Sequence, residues 1–302
     1  MPCFSPIKGY RAKHVNASGK RSIVFSKNDG FSDLPVEINC GQCVGCRLEK
    51  SRQWAIRCLH EASLYDENCF ITLTYNDEKL PSDNSLNKGH FQLFMKRLRE
   101  KFKGRKIRYY HCGEYGDKTD RPHYHAIIFN LDFQDKELYS SREGVQLYTS
   151  ETLEKVWQNG FATIGDVTFE SAAYVARYVM KKVTGERAEE HYKSLNPYTG
   201  EIIEIEPEYT TMSRRPGIGQ PWLEKYETDV YPEDFVVVNG KKMKPPKYYD
   251  NLMERKSVKE FETIKNKRKK RASKHKEDQT PERLAVREKV AKARIQINNR
   301  GL

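Results

Sequence analysis

Apolar positions recur along this chain with two distinct periods. Residues 69–75 (CFITLTY) alternate aromatic, β-branched and apolar side chains with a period of two, a strand pattern closed by Asn76, Asp77 and Pro81. Residues 106–112 continue as a strand into a turn-rich stretch at 116–121, then 123–129 (HYHAIIF) and 161–167 alternate again. A helical period marks 47–65, with Leu48, Trp54, Ala55, Cys58 and Leu59 on one side, and 90–102, with Phe91, Leu93, Phe94, Leu98 and Phe102. Residues 153–157 and 171–183 (SAAYVARYVMKKV) complete the helices. The order β, α, β-hairpin, α, β, α predicts an α+β fold, a central antiparallel sheet with helices packed on it.

Beyond this core of 63–185, residues 185–211 are polar, acidic and turn-rich and suggest an exposed hairpin. Trp222, Leu223 and Tyr226 keep helical spacing, and 234–243 (DFVVVNGKKM) reads as a hairpin turning at Asn239 and Gly240. The aromatic and basic residues up to Tyr249 suit either single-stranded DNA or the packing of a subdomain. They end an extension spanning 186–252, after which 253–302 is a basic tail, disordered or helical, holding the run Lys265 to Arg271.

Charge narrows the partners. The 302 residues carry 54 Lys and Arg against 42 Asp and Glu, a net +12, which favours a polyanion such as nucleic acid. No apolar run spans a bilayer and no signal-peptide core opens the chain, so a cytoplasmic, membrane-free protein is expected. No phosphate-cradling Gly-rich Lys-Ser/Thr motif is present, so no helicase is expected.

Cys40, Cys43 and Cys46 form C-x2-C-x2-C, with Cys3 in a turn-like Pro-Cys-Phe-Ser-Pro setting able to fold back as a fourth ligand. That count suits structural Zn2+ in an N-terminal element of residues 1–62. An iron–sulfur cluster is the rival, although Lys50 stands where a ferredoxin pattern needs Cys, and a metal-free set of thiols is the third reading. Arg47 opens an amphipathic helix whose basic face is either solvated or laid along backbone phosphates. Cys58, Cys69 and Cys112 read as packing residues.

On a strand, His123 and His125 share a face, and a hairpin centred between 118 and 119 sets Glu114 opposite His123. Two imidazoles and a carboxylate suit a divalent cation with open positions; a hydrogen-bonded pair of histidines is the plainer reading. On the 171–183 helix, Tyr174 and Tyr178 share a face with Lys181 or Lys182. Tyrosines so spaced are either half-buried core or, beside a metal and cations, nucleophiles toward a phosphodiester.

In order and spacing, residues 70–75 (FITLTY), 122–125 (PHYH) and 174–178 (YVARY) resemble the three motifs of the HUH (His-hydrophobe-His) rolling-circle replication initiators. More narrowly, 40–47 (CGQCVGCR), 91–98 (FQLFMKRL), 165–170 (GDVTFE) and 230–249 are similar to the replication initiators of gokushoviruses, microvirus-type phages. That likeness covers the chain to about residue 250.

The resemblance implies an RRM-like (palm-like) HUH core in which His123, His125 and Glu114 hold Mg2+ or Mn2+ and Tyr174 and Tyr178 cut and rejoin DNA in turn. The 70–75 strand lies beside the metal strand in that family, so Thr72 and Thr74 either touch DNA or pack. Arg177 stands where many relatives have Lys; its charge is kept, but it cannot act as a base. The implied substrate is single-stranded or supercoiled phage DNA at the replication origin, in the host bacterial cytoplasm, with a host helicase and polymerase as partners. A relaxase-like enzyme with one acting tyrosine and a non-enzymatic zinc-dependent DNA-binding protein are the other readings.

Overall fold

Asn68–Tyr75 (β1) realises the period of two directly. Cys69, Ile71, Leu73 and Tyr75 are buried on one side, while Phe70, Thr72 and Thr74 are half-buried on the other. The computed structural model in which this is seen describes residues 3–17, 19–116, 119–142, 144–178, 183, 187–195, 200–231 and 233–299. The chain divides into two compact units, one of Met1–Lys50 with Lys259–Leu302, the other of Ser51–Val258.

In the larger unit β1 joins Arg108–Tyr115 (β2), Pro122–Phe129 (β3), Glu137–Arg142 (β4), Val145–Thr149 (β5), Gly160–Gly165 (β6) and Tyr209–Met212 (β7). These seven form one sheet in the order β7-β2-β3-β1-β6-β5-β4, with every pairing antiparallel. The main helices of this unit are Val44–Ala62 (α1), which enters it at Ser51, Lys88–Lys101 (α2), Glu151–Trp157 (α3), Phe169–Tyr178 (α4), Gln220–Val230 (α5) and Lys247–Lys256 (α6), with a short turn of helix at Arg187–His191.

Each face of the sheet carries its own core. Phe91, Phe94 and Leu98 of α2 and Leu153 and Trp157 of α3 bury Ile71, Leu73, Tyr124 and Ile128. On the opposite face, Ala55 and Cys58 of α1 and Ala172, Val175 and Ala176 of α4 cover Tyr110, Cys112, Ile127 and Phe129. This face of β3 is apolar at Ile127 and Phe129 and becomes imidazole at His125 and His123. A buried ion pair ties α1 to the sheet: Arg108 Nε is 2.5 Å from Glu61 Oε1, Glu61 Oε2 accepts from the Gly219 amide at 2.7 Å, and Arg108 Nη2 donates to Pro216 O at 2.8 Å.

The α+β class and the flanking helices match the sequence reading. Several elements do not announce themselves. The β4–β5 hairpin is exposed or half-buried throughout, with no buried residue, so neither of its faces shows an apolar period. Within 185–211, Lys193–Leu195 and Ile202–Glu204 pair as the expected hairpin, but β7 leaves it to extend the main sheet beside β2. Past residue 245 the chain turns into α6, with Pro246 as its N-cap.

In the smaller unit, Ile7–Ala12, Ile23–Val24 and Gly30–Ile38 form an antiparallel three-stranded sheet. Its C-terminal part is helical at Val258–Ser273 and Pro281–Asn299, with Phe261, Ile264 and Leu284 buried. Among the described residues no helix is long and apolar enough to cross a membrane.

Candidate metal centre and tyrosine site

The register of the β2–β3 hairpin pairs Glu114 with His123 and Cys112 with His125, as the position of the turn predicts. Both histidines therefore stand on the face that Glu114 occupies. Where the strands part, Gly116 leaves room for an imidazole, since a Cβ there would lie 3.3 Å from His123 Cε1. His123 Nδ1 is 3.1 Å from Arg121 O. A carbonyl only accepts, so Nδ1 carries a proton, and Nε2 faces Glu114 Oε1 at 2.8 Å. His125 Nε2 is 2.9 Å from the same oxygen, and its Nδ1 is 2.9 Å from Thr72 Oγ1.

Three acceptors aimed at one point need a cation among them, either ring protons or a metal ion. The three ligand atoms lie within 4.8 Å of one another, and two imidazoles with one carboxylate fit a divalent ion that keeps further positions for water or phosphate. Glu114 is 1% exposed. Burial by itself raises its pKa, but the hydrogen bonds to His123 and His125 outweigh this and hold it below the ordinary carboxylate value.

Helix α4 begins with a reciprocal cap, the Ser171 amide donating to Thr168 Oγ1 at 3.1 Å and the Thr168 amide to Ser171 Oγ at 2.8 Å. Ser51 of α1 donates to Ala173 O at 2.9 Å and fixes the helix laterally. With Ala172, Val175 and Ala176 on the sheet, Tyr174 falls on the flank toward the histidines. Its ring meets that of His125 edge-on, with centroids 5.2 Å apart, and Phe70 stacks on this imidazole at 5.7 Å while meeting Tyr174 edge-on at 6.3 Å. Phe70 shares the site face through the same period as Thr72 and Thr74, and the sequence reading passed over it.

Of the remaining expected site residues, Thr72 and Thr74 pair with His125 and His123 across the register. Thr72 binds an imidazole, so its hydroxyl is committed within the site. Arg177 is exposed at the end of α4. Tyr178 closes that helix, its side chain lying outside the described part, and Lys181 and Lys182 lie outside the described residues. Arg47 sits half-buried in the first turn of α1, within the smaller unit.

That unit holds the second ligand cluster. Sγ separations are 3.7 Å for Cys3 and Cys40, 3.9 Å for Cys3 and Cys43, and 4.0 Å for Cys40 and Cys46. A tetrahedron of Zn–S bonds near 2.3 Å gives S···S contacts of about 3.8 Å, so the cluster fits a four-thiolate metal site and all four sulfurs are free of disulfides. Backbone amides point at the sulfurs, Phe4 N to Cys43 at 3.2 Å and Cys40 N to Cys3 at 3.3 Å. Against the upward push of burial, the Phe4 amide and neighbouring groups lower Cys43 to about 6, while burial raises Cys3 and Cys46.

Comparison with known proteins gives a consistent set. The family model for replication-associated protein ORF2/G2P matches residues 68–183, the span from β1 through the tyrosine helix. The chain is 38% identical over 261 residues to replication-associated protein VP4 of Bdellovibrio phage phiMH2K, covering 83% of this chain and 76% of that one. To replication-associated protein ORF2 of Spiroplasma virus 4 it is 36% identical over 294 residues, covering 89% and 86%. To replication-associated protein ORF4 of Chlamydia phage 1 it is 33% identical over 165 residues, covering 51% and 41%. No solved structure matches the chain.

Proposed function

The chain belongs to the replication-associated proteins of microvirus-type phages, and from that premise we propose that it is an HUH endonuclease and strand transferase that initiates rolling-circle replication at the phage origin. The observation that carries this reading is the convergence of Tyr174 on His125, with its ring 5.2 Å from an imidazole that shares Glu114 with His123.

Glu114, His123 and His125 would hold Mg2+ or Mn2+, which when bound neutralises charge on the scissile phosphate. The Tyr174 phenol oxygen attacks phosphorus as the bond to the 3′ oxygen breaks. The phenol proton passes to water, the 3′ oxygen leaves and takes up a proton, and the 5′ phosphate stays on the tyrosine as a diester. Tyr178 repeats the cut after one round, and the freed 3′-hydroxyl attacks the first phosphotyrosine to close a circle. One phosphoester replaces another at each step, so no ATP is required.

Arg177, Lys181 and Lys182 supply positive charge to the phosphates, and Thr74 and Arg47 contact the strand. Cys3, Cys40, Cys43 and Cys46 would hold Zn2+ as a structural ion that ties the N-terminal strands together. The 3′ end is extended by a host polymerase behind a host helicase in the bacterial cytoplasm. Residues 63–185 form the nuclease core, 1–62 the zinc element, 186–252 an extension and 253–302 a DNA-facing basic tail.

A denaturing gel with labelled single-stranded origin DNA and Mn2+ tests the chemistry. Wild type yields an adduct that survives denaturation, and His123→Ala and the double variant Tyr174→Phe/Tyr178→Phe yield none. Adduct formation by the double variant overturns the tyrosine mechanism. DNA binding with no adduct on any origin strand leaves a zinc-dependent binding protein.

A further inference from the structure

The metal-ligand row of the sheet extends past the centre already described. Glu114 pairs with His123, His123 with Thr74, and Thr74 with Phe161, so these four side chains stand on one face of four successive strands. Phe161 ends the row 66% exposed, although Ala162, Ile164 and Gly165 of the same strand are buried. With strands about 4.8 Å apart, its backbone lies roughly 10 Å from that of His123. Beside Phe161 opens a groove of about 500 Å³ walled by the segment from Thr74 to Glu78, Arg121 and Phe161, and Thr74, the cross-strand neighbour of His123, links it to the histidine row.

The groove is held in shape. Gly160, at φ +142°, lets β6 close on β1 where a Cβ would lie 2.2 Å from the Asn76 amide. Asn76 N donates to Asn159 O at 3.0 Å, and Trp157 Nε1 to Thr74 O at 3.1 Å. Arg121 is held by Asp77 at 2.7 Å and by Tyr75 O at 3.0 Å. With its guanidinium paired and the carboxylates of Asp77 and Glu78 at the rim, the groove repels a phosphate. A flat neutral ring fits instead, stacked on Phe161 with amino groups turned to Asn76 and the carboxylates.

We propose that Phe161 and this groove bind a nucleobase of single-stranded DNA flanking the phosphate that enters the metal centre, an inference that rests on reading that centre as a nuclease site. The base anchors the strand and sets which internucleotide bond reaches Tyr174. Because the wall is formed beforehand, little ordering opposes stacking.

The test is fluorescence anisotropy with labelled oligodeoxycytidylate of about 16 nucleotides, read without added Mg2+ or Mn2+ so that no strand chemistry contributes and zinc stays on the cysteines. Phe161→Ala should weaken binding roughly 10-fold or more and Phe161→Trp should restore it, in keeping with the usual worth of one stacked base. Thermal melting checks that both variants fold. Binding by Phe161→Ala within about two-fold of wild type, well under what a stacked base contributes, overturns the proposal. Adduct formation by wild type in Mn2+, scored in parallel, judges the nuclease reading separately. An adduct with unchanged Phe161→Ala binding removes the groove and keeps the nuclease; weakened binding without any adduct keeps the groove as a DNA site and removes the nuclease.

Discussion

Thr72 Oγ1 stands 2.9 Å from His125 Nδ1, on the neighbouring strand and directly across the register. With a metal ion on Nε2, Nδ1 carries the proton and the Thr72 hydroxyl accepts it, which orients the ring toward the ion. Thr72→Val preserves the shape of the strand and removes the acceptor, and Mn2+ affinity should fall about 10- to 100-fold, the usual effect of losing such a partner. Isothermal titration with Mn2+ measures it; unchanged affinity would show that Thr72 does not orient the ring.

His60 predicts an acid-sensitive contact between α1 and the C-terminal extension. It is 6% exposed, stacked on Trp222 at 3.5 Å and 2.9 Å from the Tyr249 hydroxyl, and burial lowers its pKa to about 3. The unfolded chain takes up a proton near pH 6.5 that the folded chain resists, so this site lowers stability as pH falls from about 6.5 toward 3, by up to about 1.4 kcal/mol per pH unit. His60→Phe should flatten the profile of melting temperature against pH over that range. Parallel profiles for variant and wild type would place the acid sensitivity elsewhere.

Glu61 and Arg108 are both buried and answer one another. Glu61→Gln leaves the guanidinium without its counter-charge and should destabilise the larger unit by about 3–5 kcal/mol, measured as a shift in the urea midpoint at constant slope. A shift below about 1 kcal/mol, the range of exposed pairs, would mean that water replaces the carboxylate.

For the cysteine cluster, purified protein should contain one zinc per four thiolates. Cys43→Ser should lose the metal and make the N-terminal strands sensitive to trypsin, because the binding energy of a structural zinc site is folding energy. Colorimetric zinc release and limited proteolysis test this. The visible absorbance of an iron–sulfur cluster would contradict it.

Much of the larger unit was legible because its strands bury one face at a time. The alternation in 68–75 and 122–129 gave the core side, and the turn between Gly116 and Arg121 gave the register that sets Glu114 against His123. Local rules therefore reach the candidate metal centre. They do not reach β7, whose pairing with β2 is a contact between distant segments, nor the β4–β5 hairpin, which buries too little for a pattern. Cys3 meets Cys40 through the long return of the three-stranded sheet, a closure that spacing alone leaves open. Thr72 was read as touching DNA or packing; only coordinates show its hydroxyl on an imidazole. Phe161 looked like an ordinary strand residue, since alternation cannot say that its side of the sheet is uncovered.

The central claim is that Tyr174 attacks the phosphodiester, and the sequence makes it measurable at single-residue level. Trypsin cuts after Lys155, Arg177 and Lys181, so Tyr174 and Tyr178 fall on different peptides. Wild type reacted with origin DNA and Mn2+, trimmed with nuclease and digested, should carry the residual nucleotide on the peptide ending at Arg177 when analysed by mass spectrometry after the first cleavage. A nucleotide found only on the peptide that begins at Tyr178, or on neither, contradicts the account.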